Sequence, residues 1–272
     1  MLRGSVTGWT IAAYAAAACL VALAVVPALW LVVGAFQSPA AELNTLSGPW
    51  TTDNFSDAWA TGGLSIAALN SVIVTLSRAG LNVLLAALAA YPLARFSFRG
   101  RQTVFVLVLA TTMIPEQVII VPMFRIAAGL GLYDSLAGAV IPFSVSAFGV
   151  FLCRQAFLAI PRDLEEAAWV DGAGSFRIWW SVMLPLAAPS LALLALFSVI
   201  GAWSDLLWPL VILQSEDRFT LPVAINRMLG VFATNPRVAY AASVLAIVPV
   251  VVFFVAAQRW LRPELFGGSV KG

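Results

Sequence analysis

Six long apolar runs constrain this chain more than any other feature: Trp9–Phe36, Leu64–Ala90, Val104–Phe124, Leu136–Leu152, Pro185–Leu213 and Val238–Trp260. About 20 mostly apolar residues carry a helix across about 30 Å of hydrocarbon, and only the fourth run is short by that measure. The composition agrees. The 272 residues are 61% hydrophobic and 10% charged, whereas soluble domains are roughly 45–50% apolar and about 25% charged. A globule in water could not hide that much apolar surface, so lipid is the main solvent. Lipid offers no hydrogen bonds to the backbone, and the runs lack the alternation of a barrel strand, so each is expected to be helical. The expected fold class is all-α, a polytopic membrane protein with six transmembrane helices.

Composition also removes several functions. The net charge of +2 is too small and too dispersed for a nucleic-acid partner. The absence of histidine excludes histidine-ligated haem and zinc sites and histidine proton relays. Cys19 and Cys153 both lie in apolar runs, so neither a disulfide framework nor a metal site is expected. Cys19 reads as a small buried hydrophobe. The first run is longer than a signal-peptide core and has no clear cleavage site, so it is expected to be retained.

Basic residues set the orientation. Arg3, Arg95, Arg99, Arg101, Arg154, Arg162, Arg177, Arg259, Arg262 and Lys271 fall on one side, against Arg125, Arg218, Arg227 and Arg237 on the other. This places both termini in the cytoplasm, which requires an even number of spans. The outer loop 37–63 has no Lys or Arg and carries Trp50, Phe55 and Trp59, suited to the headgroup level or to a docked partner.

The cytoplasmic stretch 154–184 is longer than a connector needs. Asp163 is expected to cap a helix with Glu166 three residues on, Gly172 and Gly174 to stop it, and Ser175 to cap a second helix leading to Pro185. Residues 161–172 contain Asp163, Glu165, Glu166 and Asp171 against Arg162 alone. A helix this short needs a host, and an acidic one suits a protein groove better than a negatively charged membrane surface.

The order Glu166-Ala167-Ala168, three residues, Gly172, nine residues, Val182, one residue, Leu184-Pro185 resembles the EAA loop of binding-protein-dependent ABC importer permeases. The usual pattern has Ile where Val182 stands. Asn70-Ser71, Ala89-Ala90-Tyr91 with Arg95, Trp203–Pro209 and the ending Ser269-Val270-Lys271-Gly272 are similar to the sugar-uptake branch, which includes maltose and glycerol-3-phosphate permeases. The resemblance implies a single transmembrane permease domain over 1–272 in the bacterial plasma (inner) membrane, with loop 154–184 docking a cytoplasmic ATPase. Glu166, Ala167, Ala168, Asp171, Gly172 and Pro185 would form the coupling site, with Glu166 meeting a basic group and Gly172 permitting the bend. It further implies a second homologous permease, two ATPase subunits and an external solute-binding protein as partners. No phosphate-binding loop surrounds Lys271, the single lysine, and no nucleophile–base pair is present. No cofactor, metal or enzymatic activity is therefore expected, and ATP would be bound by the partner ATPase.

Charges within spans are costly and normally face a cavity or a partner. Glu116, Gln117 and Asp205 are candidates for the translocation path, with Asn70, Trp203 and Trp208 as further polar and aromatic contacts. The alternatives are that Asp205 bonds a neighbouring helix and that Glu116 meets outer water. Arg78 would pair with an acid of this chain or of its partner. The third helix is expected to kink at Pro115 or Pro122. The solute is expected to be a carbohydrate or glycerol-phosphate-like, with an amino acid or a polyamine as the alternative. A secondary carrier is less well supported, because the spans hold too few ionisable groups.

Overall fold

The computed structural model describes residues 3–41, 47–61, 63–231 and 235–265. In chain order the α-helices are α1 (Arg3–Ala35), α2 (Asp53–Thr61), α3 (Leu64–Arg95), α4 (Arg101–Ala110), α5 (Glu116–Gly129), α6 (Leu136–Val140) and α7 (Ala147–Ala159). They continue as α8 (Arg162–Val170), α9 (Ser175–Ile178), α10 (Leu184–Leu186), α11 (Ala188–Ser204), α12 (Leu207–Ile212), α13 (Leu221–Val231) and α14 (Arg237–Leu265). Trp9–Ala35, Leu64–Arg95 and Arg237–Ala256 are long and apolar enough to cross a membrane unbroken. Three bent pairs bring the number of possible spans to six: Arg101–Met113 with Glu116–Gly129, Leu136–Phe143 with Ala147–Ala159, and Ser175–Leu186 with Ala188–Ser204.

Three of the six runs are therefore broken, the third run at the expected Pro115. Val104–Phe124 turns by 103°, because a residue before proline is pushed out of the helical region. Ile114 accordingly takes φ −90° and ψ 116° ahead of Pro115. Pro122 lies within α5, which continues through it. Leu136–Leu152 bends by 51° where Ser146 caps α7, its hydroxyl accepting from Gly149 N at 3.0 Å. The run Pro185–Leu213 is interrupted twice. The helical pair begins at Ser175 and turns by 78° at Ala187, then α11 stops at an extended Asp205 before the separate α12. A π turn over Trp179–Met183 precedes Pro185, whose missing N–H leaves one carbonyl of the preceding turn without its usual donor.

The described residues fall into two compact units. One contains 1–64 and 225–248. Within it α1 exposes residues 9–30 all round, Cys19 included. This corrects the expectation that Cys19 is buried: an apolar helix can leave a small hydrophobe on a lipid-facing surface. Asn54, itself buried, donates to the carbonyls of Ala35 and Gln37 at 2.9 and 2.8 Å, satisfying orphan acceptors at the end of α1. The buried Arg237 donates to Ala41 O at 2.6 Å.

The other unit contains 65–224 and the residues from 249 on. Its core gathers Ala86, Ala90, Tyr91, Phe105, Cys153, Phe157, Ile178, Trp179, Met183 and Leu194. The alanine-rich face of α3 lets neighbouring helices approach closely, the packing mode that replaces hydrophobic driving force in lipid. Gly138 is needed at one such approach, since a Cβ there would lie 2.0 Å from Leu132 O.

Candidate functional site

Two of the three helix breaks open onto one cavity of about 640 Å³. Thr111, Thr112, Ile114 and Glu116 reach it from the break before α5, and Phe143 and Ser146 from the break before α7. Arg78 and Asn82 of α3, with Ser198 of α11 and Asp205 just past its end, complete its polar wall. Irregular backbone at membrane depth is tolerated where it lines a cavity or is buried in protein, so the position of the breaks and the cavity explain each other.

The cavity's charges are arranged in a definite way. Arg78 NH1 donates to Asp205 Oδ2 at 2.6 Å, with side chains 13% and 19% exposed. The Arg78 guanidinium also lies 5.5 Å from the Phe143 ring centre, within cation–π range. Asp205 thus both lines the cavity and bonds a neighbouring helix. Glu116 opens α5, where the helix N-terminus favours a negative charge. Asn82 joins three elements: its amide donates to Ser198 Oγ at 2.8 Å, and its carbonyl accepts from Ser146 N at 2.8 Å.

The remaining residues expected on the path do not line this cavity. Trp208 is buried, its indole N–H donating to Gly138 O at 2.9 Å. Asn70 is buried and donates to Asp217 O and Phe219 O at 2.9 and 3.0 Å, fastening α3 to the loop after α12. Gln117 is exposed and Trp203 half-buried, and neither lines the cavity. Sequence reading missed Asn82, Ser146 and Ser198. An amide inside the run Leu81–Leu85 was the available signal for Asn82.

The second site is α8. Its start differs from expectation: the cap position is Pro161, which gives no side-chain cap, and Asp163 lies in the first turn. Proline's fixed φ suits a helix entrance and pre-empts a cap two residues later. Likewise Ser175 is the first residue of α9, behind Gly174. The end of α8 is a Schellman motif: Ala173 N donates to Ala168 O and Gly172 N to Trp169 O, both at 3.0 Å. Gly172 has φ +78°, a conformation that strains any residue with a Cβ.

The adjacent acids of α8 face different surroundings. Glu165 is anchored to the end of α3, accepting from Tyr91 OH at 2.7 Å and pairing with Arg95 Nε at 3.3 Å. Arg95 also donates to Ile160 O at 2.6 Å, and Arg154 to Leu93 O at 3.1 Å. Glu166 is exposed, as are Leu164, Ala167, Val170, Asp171, Gly172 and Pro185. Ala168 is half-buried and packs on the core with Ala173, Val182 and Leu184.

On the opposite loops Asp134 acts as a hub. Its carboxylate accepts from Ser215 Oγ at 2.5 Å and from Gln214 N and Ser215 N at 2.9 and 3.0 Å. Arg218 donates to the Asp134 carbonyl and lies 3.4 Å from its carboxylate. The Ser215 hydroxyl first, then the two amides and the Arg218 charge, hold this carboxyl at about 2, below its usual range.

The profile of the family described as binding-protein-dependent transport system inner membrane component matches residues 82–267. The arabinooligosaccharides transport system permease protein AraQ of Halalkalibacterium halodurans is 35% identical over 258 residues, 92% of each chain. The sn-glycerol-3-phosphate transport system permease protein UgpE of Yersinia pestis is 33% identical over 233 residues, 83% of this chain and 82% of the relative. Among solved structures, a bacterial ABC transporter involved in import of the acidic polysaccharide alginate superposes with a TM-score of 0.83 at 24% identity, covering 94% of this chain and 97% of that one.

Proposed function

The chain belongs to the binding-protein-dependent transport system inner membrane component family, and from that premise we propose how its two sites share the work of an importer. It is a permease subunit of a sugar-type ABC importer and a multi-pass inner-membrane protein; ATP hydrolysis lies on separate subunits. Its partners are of two kinds, an external binding protein and a cytoplasmic nucleotide-binding subunit. In the proposed assembly there are two such ATPases and a second, homologous permease. Both termini are cytoplasmic, as the distribution of basic residues supports. The solute is a carbohydrate or glycerol-phosphate-like molecule, in line with relatives named for arabinooligosaccharides and for sn-glycerol-3-phosphate.

The observation that carries the reading is the two-faced helix α8. Glu165 anchors it inward to α3, while Leu164, Glu166, Ala167 and Val170 are left outward. Nine residues cannot hold a helix in water on their own. The inner anchor and the Schellman end fix its axis, and the outer face presents Asp163 and Glu166 among small and apolar groups to a basic cleft of the ATPase. The cavity at the helix breaks is the solute path, with Glu116, Asp205 and the Asn82 network as its polar wall.

Glu166→Lys tests the coupling assignment. It would place like charges together in a buried contact, a penalty of several kcal/mol. The ATPase should be lost on co-purification and uptake abolished, with membrane insertion retained. Normal uptake and a retained ATPase would refute the role given to α8. For topology, single cysteines at Thr52 and Gln214 should react with an impermeant thiol reagent from outside, and one at Arg99 should not.

A further inference from the structure

Among the described residues Arg78 is the only basic one lining the cavity, and so the only one there that could pair its charge with a phosphate or a carboxylate. Its charge is already taken. Asp205 holds it at 2.6 Å, with both side chains largely shielded from solvent. The remaining acidic residue in the lining is Glu116, which has no ion-pair partner among the described residues. The wall therefore carries one uncompensated negative charge. The other polar wall groups include the Thr111 and Thr112 hydroxyls. These donate to the carbonyls of Val108 and Leu109 at 2.7 Å, leaving their lone pairs to accept from a ligand. Phe143, Phe148 and Phe197 add flat apolar surface. Acceptors beside aromatic faces suit the hydroxyls and the apolar ring faces of an uncharged sugar.

We propose that this cavity selects uncharged oligosaccharides and rejects anionic ones, and that Asp205 determines this specificity by neutralising Arg78. The proposal rests on reading the cavity as the solute path, and it narrows the solute to neutral carbohydrates. An anionic sugar would find no available cation and would face Glu116 across a medium less polar than water. Converting Asp205 to its amide frees the guanidinium without removing a hydrogen-bonding side chain, so the preference should move toward anions.

The test uses the complete purified importer carrying Gly201→Cys, at an open lining position where a Cβ meets nothing, as a reporter in a Cys19→Ser background. The measurement is the rate of N-ethylmaleimide labelling with and without added sugar. Neutral pentose and hexose trisaccharides should slow labelling, while trigalacturonate should leave it unchanged. Adding Asp205→Asn should let trigalacturonate protect, improving its apparent affinity about tenfold. Glu116→Gln, at an exposed position that does not threaten folding, should shift the balance the same way by a smaller factor. Protection by trigalacturonate equal to that by the neutral sugars, before either change, overturns the charge selection. Unchanged discrimination in both variants overturns the role of these residues. Protection by no sugar overturns the proposal through its premise, showing that the cavity is not the solute path.

Discussion

Helix α3 carries two arginines, and each meets a carboxylate from a distant part of the chain, yet the two pairs are built differently. Arg95 is 4% exposed and shares Glu165 with Tyr91 while also holding the Ile160 carbonyl. Arg78 is 13% exposed and meets Asp205 through one oxygen at the wall of a cavity. The first is a many-membered joint of one ion pair and two hydrogen bonds. The second is a single ion pair beside open space. Redundant bonding suits a part that passes on force, and a lone neutralised pair suits a surface whose charge must be set. On the proposed reading, the same two residue types serve as a mechanical fastening at one end of the helix and as a chemical filter at the other.

The comparison breaks most visibly at Arg95. Arg95→Leu leaves the Ile160 carbonyl without its side-chain donor and Glu165 with Tyr91 alone, and losing one partner of a buried pair typically costs about 3–5 kcal/mol. The thermal midpoint of the solubilised protein should fall, and the ATPase should fail to co-purify. If the ATPase stays bound, the joint does not position α8. Arg78→Leu should be milder, about 1–3 kcal/mol, and the double change Arg78→Leu with Asp205→Leu should recover much of that loss. A double variant less stable than either single one would show that the pair does more than neutralise itself.

Tyr91→Phe sharpens the joint by removing one hydrogen bond of several, at about 1 kcal/mol. Uptake should fall less than in Arg95→Leu, and a loss as complete would contradict shared anchoring. The smallest effect concerns Asp134, which stands outside both pairs and serves as a control. Its folded pKa, near 2, lies below the ordinary 3.8. Its contribution is therefore full above about pH 3.8 and fades as pH falls through 2. Amide exchange at Gln214 and Ser215 should be independent of this group between pH 7 and 5, apart from intrinsic chemistry, and Asp134→Asn should accelerate it at neutral pH. Protection that collapses near pH 5 would implicate another group.

Much of this was legible in the sequence, and the gaps follow physical lines. Run length depends on hydrocarbon thickness alone, so the six runs could be read directly. Gly172 was legible because a helix end that needs a positive φ selects glycine. The bend at Pro115 was legible as a bend, but its angle was not, since proline forbids one conformation without choosing among the rest. Asp163 was misread because any acid near a helix start resembles a cap, and only the backbone before it decides. The partners of Arg78, Arg95 and Asn82 were out of reach. Their contacts span 127, about 70 and 116 residues, and no local pattern encodes a pairing at that distance.

The ion pair between Arg78 and Asp205 also has a consequence for how the protein is made. Translation at about 5–20 residues per second places the 127 residues between them about 6–25 s apart. Throughout that interval α3 must enter the membrane with an arginine that has no acid to answer it, at about 2.5–3.5 kcal/mol if it lies near the centre of the span. Its apolar length carries that burden until α11 arrives. The nascent chain thus passes through a stage in which its most exposed weakness is a single cation awaiting a residue still in the ribosome. A membrane protease that samples unpaired charges has those seconds in which to act. A chain lacking Asp205 would never leave that stage, so its steady-state amount would report on assembly order even where the folded protein tolerates the change.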